Sequence, residues 1–204
     1  MSDDGLPKIC THITPAYRQA LWIVIKLNVG YGLVEMVVGF ISGSQALKAD
    51  ALDFLGDGLI GFPSLLAVGL SLVGRARSAL IQGLFLAMLG LGVLAITGYR
   101  VLVPNQPEAV LIGLFGAVAL MVSLTVTAVL IPHQEDDVNV RAVWLFSRND
   151  TIGTAAVLVA AGLVWWTEAA WPDLAVAFVS AGLFLQSVRS IIHNARADLR
   201  AAHD

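Results

Sequence analysis

Residues 78–99 read SALIQGLFLAMLGLGVLAITGY and residues 109–131 read AVLIGLFGAVALMVSLTVTAVLI, without one Asp, Glu, Lys or Arg in either run. A membrane-crossing helix needs about 20 consecutive, mostly apolar residues. Each run is therefore long enough to span a bilayer by itself. The whole chain agrees: 57% of its 204 residues are hydrophobic and only 13% are charged, against about a quarter charged in a soluble domain. Its mean hydropathy is +0.80. The fold class expected is all-α, a polytopic membrane protein.

Outward from these two runs, six helices fit, near 17–41, 46–74, 78–102, 107–132, 139–167 and 172–196. The breaks between them are SGSQ (42–45), GRAR (74–77), PNQPE (104–108), PHQEDD (132–137) and EAAWP (168–172), each rich in Gly, Pro or charge. This divides the chain into a tail (1–16), a six-helix domain (17–196) and a second short tail (197–204), with no soluble module. Lys8, Arg18, Arg75, Arg77, Arg141, Arg189, Arg196 and Arg200 fall on one side and Lys48 and Arg100 on the other. That bias predicts both termini in the cytoplasm, with the cytoplasmic (inner) membrane as the expected location. Trp165, Trp166 and Trp171 gather at an outer boundary, as an aromatic belt would, and Pro63 is expected to kink the second helix.

The N-terminus, MSDDGLPKICTH, lacks the basic start, apolar core and cleavage site of a signal peptide. Cys10 is the single cysteine, so no internal disulfide forms. Net charge is −3, which gives no reason to expect nucleic acid as a partner.

Against this background ALKADALDFLGDGLI (46–60) is anomalous, because Asp50, Asp53 and Asp57 fall within eight residues. At 100° per residue the three lie in an arc of about 60°, a single stripe. A charge at the bilayer centre costs at least about 2.5–3.5 kcal/mol, and aligned carboxylates repel one another. Such a stripe is poor for stability and suited to a divalent cation or protons. Alone, Asp50 reads equally well as a residue of the outer boundary. NVRAVWLFSRNDTIGTAAVL (139–158) adds Asp150 on the fifth helix, with Phe146 and Ser147 one turn earlier on the same face. Gly56, Gly58, Gly153 and Thr154 would let the two helices approach closely. Asn28 and Glu35 share a face of the first helix, either supporting the site or packing polar to polar. Asn149 sits about 100° from Asp150 and becomes a ligand only where the helix is irregular.

These stretches resemble the cation diffusion facilitators, a family of divalent metal exporters. SGSQALKADALDFLGD is similar to the family pattern SGSLALLADAxHxxxD. Ser42, Gly43, Ser44, Ala46, Leu47, Ala49, Asp50, Ala51 and Asp57 match, and Asp53 stands where His is common. Asn28 and Glu35 match in the first helix. Asp150, Gly153 and Thr154 match an HxxxDxxGS stretch in the fifth, and WPDLAVAFVSAGL (171–183) is similar to the start of the sixth. The resemblance implies proton-coupled metal antiport by a homodimer in a lipid bilayer, with no resident cofactor and no enzymatic reaction. It implies a transport site of Asp53, Asp57 and Asp150, with zinc the expected cargo.

Two departures qualify it. Phe146 occupies the position of a usual His or Asp ligand, leaving the fourth place to water or Ser147. An all-oxygen donor set leans toward harder ions such as Mn²⁺, Fe²⁺ or Co²⁺, with Cd²⁺ a further candidate cargo, although zinc also binds carboxylates. The C-terminal soluble domain that most members carry after the sixth helix is also expected to be absent. Both leave open a non-transporting homologue that senses metal or binds a partner.

His133, Glu135, Asp136 and Asp137 read as a solvated acidic loop or as a metal-gathering entrance. Cys10 and His12 read as tail residues rather than ligands, and His193 and His203 as surface residues. Lys26 and Arg148 lie off the metal face, where long side chains snorkel. An intramembrane aspartyl protease would need GxGD, but position 54 is Phe, and Asp150 follows Asn149 instead of Tyr.

Overall fold

A computed structural model describes residues 15–66, 72–103, 105–131 and 138–201, with the side chains of 15–17, 60–66, 72, 75, 138–150 and 201 outside the description. It contains α1 (Pro15–Ile41), α2 (Gln45–Leu66), α3 (Leu72–Leu102), α4 (Ala109–Leu130), α5 (Val138–Thr167) and α6 (Trp171–Ala201). There is no strand among the described residues. Short links make successive helices antiparallel, so α2, α4 and α6 start at the end where α1, α3 and α5 finish. GRAR, read above as a break, lies inside α3. Arginine is a good helix former, so these residues prolong the helix past its apolar span instead of ending it. α6 likewise continues beyond 196 to Ala201.

The molecule's outside is apolar. Leu102 is 81% exposed and Ile41 and Val110 are each 70% exposed, which suits contact with lipid chains. Among the described residues four helices contain spans long and apolar enough to cross a membrane: Arg18–Ile41, Ala76–Leu102, Ala109–Leu130 and Trp171–Arg200. In α5 the described apolar stretch is shorter, Thr151–Thr167. α2 is interrupted by Lys48 and its three aspartates. Thr97, Thr125, Thr127, Thr167 and Ser187 each donate to the carbonyl four residues earlier. That pattern satisfies a hydroxyl where no water is available.

α2 is the centre of the bundle and touches all five other helices. On one side Ala49 and Leu52 join Leu86 and Val93 of α3 and Ala177, Ala181, Phe184 and Val188 of α6. On the other, Ala46 and Leu47 pack with Val38, Ile112, Val157 and Ala161. Glycines decide how near the neighbours come, although not all where expected. A Cβ at Gly56 would meet Phe184 of α6 at 2.9 Å, and one at Gly58 would meet Val29 Cγ2 at 2.5 Å and the Val29 nitrogen at 3.3 Å. These residues seat α6 and α1 against α2, not α5, and Gly153 has nothing within 4 Å. Val29 is β-branched and stiff, so Gly58→Leu is expected to destabilise the protein by about 1–3 kcal/mol through overpacking. Gly153→Ala should be neutral or slightly stabilising. Thermal unfolding in detergent checks both, and equal melting of Gly58→Leu and wild type would refute the close approach.

The end of the bundle where α2 and α6 begin is laced together by its loops. Glu108 N donates to Ser42 O at 2.9 Å, and Gln106 Nε2 donates to Glu168 O. Gly43 has φ +72°, and a Cβ there would strike Asn105 Nδ2; the left-handed backbone and the lack of room both require glycine. Trp165, Trp166 and Trp171 are exposed at this same end.

Candidate metal-transport site

The start of α2 is held with unusual care. Ser44 is its N-cap, with Oγ accepting from Leu47 N at 3.0 Å. Ser44 Oγ also donates to Asp173 Oδ1 at 2.5 Å. The Asp173 carboxylate, on α6, accepts from Gln45 N at 2.7 Å and Ala46 N at 3.2 Å. A carboxylate from another helix thus satisfies the first orphan amides of α2 at the positive end of its dipole. Sequence reasoning passed over this residue. Its one signal is an acidic side chain in the first turn of an apolar helix, which reads as a cap for α6 itself. Beside it, Lys48 Nζ donates to Gln45 Oε1 at 3.3 Å and lies 4.6 Å from the Phe40 ring centroid.

One and a half turns further in, Asp50 is 1% exposed and accepts from Thr154 Oγ1 of α5 at 3.1 Å. This bond fixes the register between α2 and α5. The two run antiparallel, because α2 begins beside the start of α6, to which the end of α5 leads directly. With a rise of 1.5 Å per residue, Asp53 and Asp57 lie about 4.5 and 10.5 Å inward of Asp50, and the backbone of Asp150 lies about 6 Å inward of Thr154. Asp150 therefore enters at a depth between Asp53 and Asp57. Both α2 aspartates are half-buried. The side chains of Asp150, Ser147, Asn149 and Phe146, and the whole stretch with His133, Glu135, Asp136 and Asp137, lie outside the described residues. Among the described residues no three carboxylate, imidazole or thiol groups converge.

α1 closes the site from the other side. Asn28 is 2% exposed and Glu35 is fully buried. Among the described residues Asn28 Oδ1 has no hydrogen-bond partner, and Asn28 packs beside Gly58, the neighbour of Asp57. Tyr31 lies between these two residues in α1. It stacks edge-on against Phe54 at 5.0 Å and donates to Phe115 O at 2.5 Å. Lys26 is exposed and sits 5.9 Å from the Trp22 ring, away from the carboxylates.

A central helix carrying a stripe of aspartates is thus bonded to α5 through Asp50 and Thr154 and flanked by the buried Asn28 and Glu35 of α1. The cation efflux transmembrane domain family matches residues 21–199. The chain belongs to this cation efflux family, the cation diffusion facilitators. Among its relatives is the cadmium, cobalt and zinc/H(+)-K(+) antiporter of Bacillus subtilis, 25% identical over 194 residues, covering 86% of this chain and 61% of the relative. Another is the metal cation efflux system protein CzcD of Cupriavidus metallidurans, 26% identical over 172 residues, covering 78% of this chain and 54% of the relative. The chain thus spans between half and two thirds of the length of these cation efflux proteins. The family is one of multi-pass membrane transporters.

Proposed function

We propose that this chain moves a divalent metal cation, zinc foremost, across the cytoplasmic membrane in exchange for protons, with both termini in the cytoplasm and two copies forming a homodimer. Asp53, Asp57 and Asp150 are the proposed ligands. The observation that supports this reading is the Thr154–Asp50 bond, whose register brings the backbone at position 150 to a depth between Asp53 and Asp57. The names of the relatives, with cadmium, cobalt and zinc as cargo, support the ion class. Carboxylates bind metal only when deprotonated, so metal and protons compete for the same oxygens. Each ion that leaves makes room for protons, and alternating exposure of the site turns that competition into exchange. Asn28 supplies a carbonyl oxygen beside Asp57, as a ligand or a bond to bound water, and Glu35 and Asp50 support the site from α1 and α2.

Phe146 favours a second reading of selectivity. Without an imidazole the donors are all oxygen, and harder ions such as Mn²⁺ or Fe²⁺ gain relative to zinc. One experiment addresses both. In proteoliposomes with an imposed pH gradient, the protein is expected to move zinc, cobalt or cadmium against manganese at unequal rates, and to stop when the gradient is collapsed. Manganese faster than zinc selects the second reading. Absence of flux for every ion from correctly folded protein would overturn the transport reading.

A further inference from the structure

Toward the end of the bundle opposite the tryptophans, a groove of about 350 Å³ runs along α6 beside Ala87 of α3. Along its wall the two helices touch closely: Gly90 and Gly83 of α3 meet Leu185 and Ile192 of α6, which line the groove, at distances that leave no space for a Cβ. The groove changes character along its length. Ala87, Leu185 and Val188 line its deep part, and Arg189, His193, Arg196 and Arg200 line the rest. Those four project from α6 within an arc of about 60°, and all four are exposed. Asp198, the acidic residue of this segment, lies about 180° from Arg189 on the opposite face. No acidic residue occurs in α3, whose Arg77 is exposed at the same end.

Depth identifies what this gradient fits. Measured from Trp171 at the opposite interface, Leu185 lies about 21 Å and Arg189 about 27 Å along α6, and Arg196 and Arg200 about 37 and 43 Å. A hydrocarbon core is about 30 Å thick. The apolar part of the groove is therefore level with lipid chains, Arg189 lies just inside their boundary, within reach of it by its long side chain, and Arg196 and Arg200 are level with headgroups. A soluble anion would use only the second part, and an acyl chain alone only the first.

We propose that this α3–α6 groove binds one anionic phospholipid, with its phosphate held by Arg189, Arg196 and Arg200 and the start of an acyl chain against Leu185, Val188 and Ala87. Guanidinium groups suit this task because they pair with phosphate oxygens in a fixed two-pronged geometry. The site is distinct from the carboxylates of α2 and does not depend on the transport reading.

Native mass spectrometry of the detergent-purified protein tests it, with phosphatidylglycerol and phosphatidylcholine offered at equal concentration. Wild type is expected to keep phosphatidylglycerol preferentially. The triple variant R189Q/R196Q/R200Q should retain it at least ~10-fold less, since each cation near an anionic lipid contributes separately. Ala87→Phe, which fills the apolar part and keeps every charge, should also reduce retention; it stands as the test if the triple variant does not fold. Equal retention by wild type and the folded variants, or no preference between the two lipids, would overturn the proposal. Inorganic phosphate alone displacing phosphatidylglycerol would overturn it too, because the groove would then be a site for a soluble anion.

Discussion

Asp57→Ala is expected to abolish pH-driven metal flux in proteoliposomes while leaving the protein as stable as wild type, or more so. The two halves of that expectation have one origin. An ionised carboxylate in the bilayer interior costs at least about 2.5–3.5 kcal/mol, and Asp57 shares its helix face with Asp50 and Asp53. Removing it relieves repulsion and desolvation together. The metal, in contrast, loses a charged ligand. Groups that merely support a ligand are worth about 10–100-fold in metal affinity, so a direct ligand should cost at least ~100-fold. Asp53→Ala is expected to behave in the same way. Asn28→Leu should weaken affinity by the smaller factor and leave the maximal rate closer to wild type. Metal binding by calorimetry, flux and thermal unfolding, measured on the same preparations, separate the roles. If Asp57→Ala destabilised the fold and bound metal normally, Asp57 would be a structural residue and the proposed site would be misplaced.

The fold was legible in the sequence because lipid imposes a local rule. A charge-free run of twenty residues has few alternatives to a spanning helix, and 78–99 and 109–131 needed no tertiary information. The α2 stripe was legible for a similar reason, since the spacing of Asp50, Asp53 and Asp57 sets a common face once the segment is a helix. What pairs with that face is another matter. Thr154 rather than Gly153 meets α2, and Gly56 and Gly58 turn to α6 and α1, because small residues announce close approach without naming the partner. GRAR was misplaced since Gly and charge signal a loop in soluble chains, yet in a membrane protein they also mark a helix emerging into water. Asp173 was overlooked because its partners, Gln45 and Ala46, are more than 120 residues away in the chain. Nothing in the local pattern distinguishes a carboxylate capping its own helix from one capping another.

That overlooked residue carries the second large expectation. Asp173→Ala should lower stability by about 3–5 kcal/mol, because it leaves the buried amides of Gln45 and Ala46 and the Ser44 hydroxyl to lose an acceptor at once, each at about 1–3 kcal/mol. For a chain of this size that corresponds to a fall in melting temperature of about 10 °C or more. Asp173→Asn keeps one carbonyl oxygen for one of the donors and should lose roughly half as much. The effect should reach transport as well. Asp173 and Ser44 together fix where α2 begins relative to α6, and Asp50, Asp53 and Asp57 ride at fixed distances from that point. Below its melting temperature, Asp173→Ala should therefore bind metal more weakly than wild type even though none of the proposed ligands has changed. Thermal unfolding and metal titration of the two variants test this chain of cause. A melting temperature unchanged from wild type would show that water or Ser44 alone satisfies the end of α2. Reduced stability with unchanged metal affinity would show that the register of α2 is set instead from α5, through Thr154 and Asp50.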